Sequence, residues 1–476
     1  MEDIPKTAPE SLRLLASTRD TYCCSINDSR IRESRLRDVD AVTSVTPEAA
    51  VKIPRIRNED DLEVNYFKSA QWQAPPLQVP NKSPDGTTLL TSSADNTIRT
   101  FVLPATLLSD PSPPILTPYT HHTHPTPINC FTLYPFYNLS DPSTTLYLST
   151  PSALPIRLLN SLSPSTVPLS TYPLISTTTE AYYTPSSLLW STQNHFLAGT
   201  DCLIALFDIS RSGDGPVARM PTIPSKRHRM KGGGVGMRGL VSALSQQPSP
   251  ENSDRGMLAA GTWTRWVGLY DMGGLGGTVA TWYIGEAADK GAEIGGTGIT
   301  ETGWSACGRY LIVAERRSRG VLVYDVRVTG KLVAWLVGRE ADTNQRLGVG
   351  LFEGEKGMEV WAGGTGGTVK VWEGVGMTEG PAERAWEWKA HDDPVTSAAV
   401  HLSGTVVATC SGQRYFPEEA RDDGTEVSES SEDDSSEDDS FPDSGSDSES
   451  SSGSRSSRPL KPVSGSTDNS IKVWSL

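Results

Sequence analysis

The densest cluster of basic side chains lies in the segment PSKRHRMKGGGVGMRG, residues 224–239, which contains no acidic residue. Flexible Lys and Arg side chains beside glycines can follow a phosphate backbone, so this segment is a candidate for RNA contact. The same composition also fits a nuclear-import signal or a plain solvated loop, and the sequence leaves all three open. The candidate side chains are Lys226, Arg227, His228, Arg229, Lys231 and Arg238.

Two further segments carry side chains suited to unpaired bases. Arg planes and aromatic rings stack on bases, and Asn or Gln amides read base edges. The alternative interpretation is that these side chains brace loops on one face of the fold. The residues are Arg339, Asn344, Gln345 and Arg346 in GREADTNQR, followed by Arg414, Tyr415 and Phe416 in ATCSGQRYFPE.

Catalytic and metal-binding patterns are weak by comparison. The run HHTH, residues 121–124, lies in a Pro- and Thr-rich stretch without nearby acids, so we expect no metal there. Glycine runs such as GGTGGTVK do not fit the phosphate-binding loop, and we find neither GxSxG nor a carboxylate pair outside the acidic tract. We expect no enzyme activity, no cofactor and no small-molecule substrate.

The net charge of −15 is strongly localised. Residues 418–450 hold 15 acids and one base, a local charge of −14, and subtracting it leaves −1 for the rest of the chain. The acidic balance therefore does not argue against RNA, although it would if it were spread evenly. A Ser-rich tract of this kind cannot bury a core, so we expect it to be disordered.

Several serines of the acidic tract have an acid three residues later, the pattern used by acidophilic kinases. Phosphorylation would add a charge of about −1.5 to −2 at each site. The alternative is that the tract is only a solubilising spacer. The candidates are Ser430, Ser431, Ser435, Ser436, Ser440, Ser444 and Ser446.

One motif recurs along the chain. SSADNTIRTF (92–101) and GSTDNSIKVW (465–474) share an Asp six residues before a terminal aromatic residue, and looser copies end at Asp208, Asp271, Asp325 and Glu373. Each copy combines a tight turn with an alternating strand, and two short strands precede it. Three short antiparallel strands with a variable fourth are typical of a propeller blade.

The spacing of the repeats predicts seven blades. A blade takes roughly 40–45 residues, so the gap between Phe101 and Phe207 hides a degenerate blade at about 125–180. The last blade contains the acidic insertion. Its third strand ends the chain, and residues 50–66 are well placed to supply the missing outer strand. A ring closed by strands from both ends has no exposed edge.

We therefore predict an all-β, seven-bladed WD40-type propeller with four segments: a largely disordered region (1–58), the blades up to the first part of blade seven (59–417), the disordered acidic insertion (418–464) and the closing strand (465–476). We assign a set of residues to fold stability, because turn Asp residues accept backbone N–H bonds and strand-ending aromatics fill gaps between blades. They are Asp95, Phe101, Asp208, Asp271, Asp325, Trp372, His391, Thr409 or Ser411, Asp468 and Trp474.

The repeats resemble WD40 repeats, although no blade has a full Trp-Asp ending. NYFKSAQW followed by SPDGTTLLTSSADNTIRTFVLP, then GREADTNQR and ATCSGQRYFPE, resemble the telomerase Cajal body protein family, in matching order. That resemblance implies a nuclear factor that binds small Cajal-body RNAs, including telomerase RNA in animals, and guides ribonucleoprotein maturation. A related yeast branch is linked to pre-mRNA splicing. The chain departs from the family most in blade two, in a Pro-rich stretch near 111–127 and in a Gly-rich stretch near 231–300, which leaves the RNA target open.

The leading hypothesis is a monomeric, non-catalytic propeller that binds a small nuclear RNA and ribonucleoprotein assembly proteins, in the nucleus or its Cajal bodies, with a cytoplasmic pool allowed. The alternative is a protein-interaction scaffold in splicing without direct RNA contact, and a weaker one is an adaptor unrelated to RNA. No stretch approaches the roughly 18 apolar residues of a membrane span, so we expect no membrane association.

Overall fold

The computed structural model describes residues 8–9, 11–19, 66–72, 86–109, 112–224, 237–248, 256–272, 277–413 and 468–476. These residues form seven β-sheets, arranged as the blades of a propeller, and all of them belong to one unit. Within the described part of the chain, the helical structure is confined to one short segment that includes a π-helical turn at Ala287–Gly291. The predicted all-β, seven-bladed architecture is therefore confirmed.

Blades 1 to 4 are meanders of four strands that follow one another in sequence, and the other three blades vary this pattern. Strand β1, Arg13–Ser17, comes first in the chain and belongs to the last blade. Blade 1 contains β2 Phe67–Trp72, β3 Thr88–Ser93, β4 Thr97–Val102 and β5 Thr120–Thr123. Blade 2 contains β6 Ile128–Leu133, β7 Leu146–Pro151, β8 Ile156–Asn160 and β9 Ser170–Tyr172. Blade 3 contains β10 Ser187–Trp190, β11 His195–Thr200, β12 Leu203–Asp208 and β13 Ala218–Pro221.

The second half of the ring repeats the pattern. Blade 4 contains β14 Val241–Gln246, β15 Met257–Thr262, β16 Trp266–Asp271 and β17 Gly277–Tyr283. Blade 5 contains β18 Ile299–Trp304, β19 Tyr310–Glu315, β20 Ser318–Asp325 and β21 Lys331–Ala341. Blade 6 contains β22 Val349–Gly354, β23 Gly357–Gly363, β24 Thr368–Trp372 and, after β25 Gly380–Ala382, β26 Trp386–Lys389; β25 pairs in parallel with β21 of blade 5. Blade 7 contains β27 Val395–Val400, β28 Val406–Ser411, β29 Ile471–Ser475 and β1.

The ring is closed by strands from both ends of the chain, as predicted, but the N-terminal strand is not the predicted one. Strand β1 pairs antiparallel with β29, from Arg13 opposite Ser475 to Ser17 opposite Lys472. Residues 50–66 were expected at this edge, and that expectation is wrong because β1 occupies it. The region 1–58 therefore contributes an ordered strand, and its residues 20–58 lie outside the described part of the chain.

The short strand β1 is held in place by burial at the junction of blades 7 and 1. Leu15 and Ala16 are buried in one cluster with Val473 of blade 7 and Phe101 of blade 1. Burying a Leu side chain contributes about 1.5–3 kcal/mol. An isolated helical turn of five residues is unstable in water. Pairing with β29 buries Leu15 and Ala16 in this cluster and therefore stabilises the segment as a strand.

The core lies between neighbouring blades. Phe196 and Phe207 of blade 3 stack with ring centres 5.0 Å apart, and Tyr172 of blade 2 meets Phe196 edge-on at 5.1 Å. The innermost strands are tied together as well: Trp304 Nε1 donates to the carbonyl of Ser245 at 3.2 Å, and Trp72 Nε1 to that of Ala399 at 2.7 Å. These bonds link blade 5 to blade 4 and blade 1 to blade 7.

The two ends of the blades differ in what they carry. Because successive strands are antiparallel, the turn between the second and third strands lies at the same end as the link to the next innermost strand. We call this end the upper face. Backbone bonds join turns and links there, for example from Thr365 N–H to the Glu340 carbonyl at 2.7 Å and from Gly412 N–H to the Pro394 carbonyl at 3.1 Å.

Candidate nucleic-acid interface

The predicted structural residues of blade 7 form one hydrogen-bonded chain. Trp474 Nε1 donates to the Thr409 hydroxyl at 2.9 Å, which lies 2.8 Å from His391 Nε2. His391 Nδ1 lies 3.3 Å from a carboxylate oxygen of Asp468. Of the two hydroxyl candidates, Thr409 takes this place, while Ser411 bonds to the Asp468 backbone carbonyl. This series of hydrogen bonds ties β28, β29 and the turn before β29 to the link that precedes blade 7.

Burial and the neighbouring charges favour a neutral His391 imidazole in this series of hydrogen bonds. Burial lowers the pKa of His391, and the nearby carboxylate only partly offsets that effect. Burial alone would raise the pKa of Asp468, but its bonds to His391, Ser470 and Lys472 hold it well below its usual range. A neutral His391 can accept from Thr409 at Nε2 and donate to Asp468 at Nδ1.

The other structural candidates lie in turns or between blades. Asp95 accepts the N–H of Thr97 at 3.1 Å and forms an ion pair with Arg99, and Asp208 accepts the N–H of Ser210 at 2.9 Å. Asp325 is buried and binds Arg327 and Arg309. Phe101 and Trp372 are fully buried, whereas Asp271, which ends its strand, is exposed.

Several RNA-binding candidates attach to the upper face. Arg238 lies in the link between blades 3 and 4 and is exposed, while Arg339, Asn344, Gln345 and Arg346 lie in or next to the link between blades 5 and 6. The remaining predicted sites lie outside the described residues: Lys226, Arg227, His228, Arg229, Lys231, Arg414, Tyr415 and the serine sites of the acidic tract. The described residues that flank them, Pro224 with Met237 and Gln413 with Asp468, lie on this same face.

Arg339 is a bracing residue. Its side chain is only 2% exposed, and its guanidinium donates to the carbonyls of Leu347 at 2.8 Å and Glu315 at 3.4 Å. Burial lowers the pKa of Arg339 to about 10. A side chain enclosed in this way has no free surface on which a base could stack. Arg339 therefore braces the link, as the alternative interpretation has it, and is not placed to contact RNA.

Gln345 and Arg346 connect distant blades. Gln345 Nε2 donates to the carbonyl of Gly412 in blade 7 at 2.8 Å, and Arg346 donates to the carbonyl of Ser242 in blade 4. Arg346 is exposed. Desolvation raises the pKa of the half-buried Cys130 thiol in blade 2, and the charge of Arg346 partly offsets that rise. The guanidinium therefore ties the link between blades 5 and 6 to blade 4.

The turns of blades 4 and 5 carry an aromatic and cationic cluster that the sequence analysis missed. Trp263 is 44% exposed, and the guanidinium carbon of Arg316 lies 4.7 Å from the centre of its ring. Arg317 and Arg319 are exposed beside Arg316. The sequence signal was available in GTWTRW, where Trp and Thr stand at the turn positions that hold Ala and Asp in blade 1.

Arg265 fixes the turn that presents Trp263. It binds the buried Glu315 of blade 5 at 2.7 Å and the exposed Asp289 at 2.7 Å. Its φ of 67° is in the left-handed region, which costs a non-glycine residue about 1–2 kcal/mol. Burial raises the pKa of Glu315, with Arg265 acting against that shift. The ion pairs of Arg265 offset the cost of its strained backbone. The pair with Glu315 also joins the turn of blade 4 to that of blade 5.

The histidine run of blade 1 is explained by packing. His122 lies 2.7 Å from the Tyr147 hydroxyl and 2.7 Å from the Ser163 carbonyl. His124 is buried four residues before the innermost strand of blade 2, as His391 is before that of blade 7, and burial lowers its pKa to about 4. Among the described residues, no group of three or more His, Cys, Asp or Glu side chains is arranged to hold a metal ion.

Comparison with known families agrees with this architecture. The WD40 family model (WD domain, G-beta repeat) matches residues 81–101 and 383–415, which include strands of blades 1, 6 and 7. Two segments of the chain are therefore similar to WD40 repeats. The chain is also similar to telomerase Cajal body protein 1 of human, with 26% identity over 373 residues, and of Bos taurus, with 26% over 363 residues.

The similarity to these relatives extends over most of the chain. The alignments cover 76% of it for the human relative and 74% for the bovine one, but only 60% and 59% of those proteins' own lengths. A third relative is guanine nucleotide-binding protein negative regulator 1 of Schizosaccharomyces pombe, 27% identical over 321 residues, or 66% of this chain and 72% of that protein. In the described residues, no helix is long and apolar enough to span a membrane.

Proposed function

We propose that this WD40 propeller is a non-catalytic nuclear scaffold that binds a small RNA of the Cajal-body class, telomerase RNA included, on its upper face and assists ribonucleoprotein assembly. The observation that carries the proposal is the position of Arg238, Asn344 and Arg346. All three are exposed on one face of the propeller, and the chain outside residues 418–450 has a net charge of only −1. The similarity to proteins named for telomerase and the Cajal body supports the class of RNA.

The chemistry of the upper face fits RNA with unpaired segments. Proteins recognise such RNA by stacking splayed bases on aromatic rings or Arg planes and by reading base edges with amides. Arg346 and Asn344 offer a planar cation and an amide in one link, and Arg238 offers a second cation in another. Lys226, Arg227, Arg229 and Lys231 precede Arg238 in sequence and would add phosphate contacts.

A protein-interaction scaffold without direct RNA contact, in splicing for example, is the second candidate. It is favoured by the internal bonds of Arg339 and Gln345, which brace the link instead of leaving it for a ligand. The Schizosaccharomyces pombe relative, named as a guanine nucleotide-binding protein negative regulator, is consistent with a protein partner. In both cases the chain acts as a monomeric assembly platform.

Crosslinking of RNA to the full chain in cells, followed by sequencing, separates the two candidates. We expect small nuclear RNAs to be enriched over a control WD40 propeller handled in parallel. Equal recovery from both proteins would overturn the RNA proposal and leave the protein scaffold. Lys226, Arg227, Arg229 and Lys231 changed together to Ala should weaken RNA binding and flatten its salt dependence; unchanged binding would remove that loop from the site.

A further inference from the structure

Trp263 is unusual among the tryptophans of this ring. The other tryptophans are buried or half-buried, yet Trp263 lies in a turn of the upper face with 44% of its surface exposed. An isolated exposed aromatic needs no explanation by itself. Here, however, the indole lies in a fixed turn and in contact with a cation, so its presentation is a built feature.

The backbone on both sides holds the indole in place. The N–H of Trp263 donates to the Leu240 carbonyl at 3.1 Å, and the adjacent Thr264 hydroxyl donates to the Arg238 carbonyl. On the other side, Gly298 has a φ of +155°, and a Cβ there would lie 2.7 Å from the Trp263 carbonyl oxygen. The link before blade 5 therefore passes directly against this turn only because residue 298 is Gly.

The cation beside the indole is distinct from its neighbours. Arg265 and Arg317 are engaged by acids, since Arg265 binds Glu315 and Asp289 and Arg317 lies 3.4 Å from Asp342. Arg316 forms no ion pair in the described structure, and its Nε is buried without a hydrogen-bond partner there. Its guanidinium lies against the Trp263 ring at 4.7 Å and contacts Thr297 through one longer bond of 3.5 Å.

We propose that Trp263 and Arg316 form a stacking platform for an unpaired RNA base, with Arg238 contacting a neighbouring phosphate. The proposal rests on the RNA-binding function proposed above and assigns it to a particular pair of turns. The charge of the surface favours RNA over an anionic or neutral peptide. Arg238, Arg316 and Arg319 are at least partly exposed. Of the nearby acids, Glu315 is buried, Asp289 and Asp342 face arginines, and Glu293 is exposed. An indole next to a guanidinium suits a base of any identity, because every base has a π-face.

The platform predicts different effects for its two components. Loss of a stacking aromatic weakens single-strand binding by an energy that is about the same at every salt concentration, since no counterion is released by stacking. Loss of a phosphate-binding Arg lowers the salt slope by about one unit. Trp263→Ala and Arg238→Ala therefore report on separate contacts of one strand.

The test is a titration of the full chain with a fluorescent oligouridine of about 12 nucleotides, a length within the usual site sizes for single strands, over a range of salt concentrations. We expect Trp263→Ala to weaken binding about 10-fold with an unchanged salt slope, and Trp263→Phe to restore most of the affinity. Arg316→Ala should weaken binding, and Arg238→Ala should reduce the slope. Tyr119→Ala, which removes a side chain 65% exposed elsewhere in the ring, is the matched control and should bind normally.

Two results would overturn the platform, and they differ from failure of the proposed function. If the unmodified chain binds neither oligouridine nor cellular small nuclear RNA, the proposed function fails. If the unmodified chain binds oligouridine but Trp263→Ala binds equally well, or if Trp263→Phe is as weak as Ala, only the platform fails. Thermal melts of all variants must match the unmodified chain within a few degrees, because Trp263 does not fill a core.

Discussion

The His391 imidazole and the Thr409 hydroxyl lie 2.8 Å apart, both buried, and Trp474 donates to the same hydroxyl at 2.9 Å. The bond between Trp474 and Thr409 joins residues that are far apart in sequence, because the whole acidic tract lies between them. It secures the blade in which the N-terminal strand β1 closes the ring. The Thr409 hydroxyl accepts from Trp474 and donates to His391, so it stabilises the blade that closes the ring.

Thr409→Val should be strongly destabilising, although it keeps the shape of the side chain. It removes the partner of the buried His391 Nε2 and that of Nε1 on the half-buried Trp474, and each buried unsatisfied group costs about 1–3 kcal/mol. Urea unfolding measures the change in the free energy of unfolding. Thr405→Val, in the same blade but exposed, is the control and should change stability by less than about 0.5 kcal/mol. Equal effects of the two substitutions would show that the hydrogen-bonded chain does not stabilise the blade.

Acidification should destabilise the propeller in two stages. Burial lowers the pKa values of His122, His124, His391 and His401, so the unfolded chain binds more protons below about pH 6.5 and stability falls there. The lowered pKa of Asp468 adds stability that is present above about pH 4 and is lost as the pH falls further. Urea midpoints measured from about pH 8 down to about pH 2 check the sign of both stages. A midpoint that is constant or rises on acidification would contradict the burial of neutral histidines.

Arg265→Ala should cost about 3 kcal/mol or more, because it leaves the buried Glu315 without its cation. Adding Glu315→Gln should recover part of that loss, since a neutral amide costs less to bury. A double-mutant cycle by chemical denaturation gives the coupling energy between the two side chains. Lys290→Ala removes a fully solvated ion pair with Glu286 on the neighbouring helical turn and should be close to neutral. A coupling energy near zero would mean that the pair does not hold the Trp263 turn.

Removal of the acidic tract, residues 418–464, should leave the thermal midpoint nearly unchanged and tighten RNA binding. The tract lies between Gln413 and Asp468 of the upper face in sequence, and a segment with a charge of −14 would compete with RNA for the arginines of that face. Melting and RNA titration of the deleted and full-length chains measure both effects. A large loss of stability would show that the tract is structural, and equal or weaker RNA binding would count against competition.

Most of the fold could be predicted from the sequence repeats. The recurring turn-strand-aromatic motif and its spacing predicted seven blades, and the motif ending at Trp474 predicted the partners of His391. The closing strand was misplaced because RLLAS, residues 13–17, is too short for periodicity to separate a strand from a helical turn. Its pairing with β29 depends on a cluster built by residues more than 50 positions away.

The candidate interface was harder to derive from the sequence. Exposed and buried arginines look alike in a single sequence, so Arg339 was grouped with Arg346 although only the second is accessible. The bond from Gln345 to Gly412 spans 67 residues and follows from the closure of the ring. The exposure of Trp263 could not be predicted from its neighbours in sequence, because it depends on Gly298 and on the Arg265 ion pairs.

The most direct test of the central claim is to crosslink the full chain to a small nuclear RNA with ultraviolet light and to map the modified peptides by mass spectrometry. We expect crosslinks in the turns and links of the upper face, at Trp263 and in the peptides that contain Arg238 and Arg346. Crosslinks confined to the outer strands, such as the peptide containing Tyr119, or no RNA-dependent crosslink at all, would contradict RNA binding on this face.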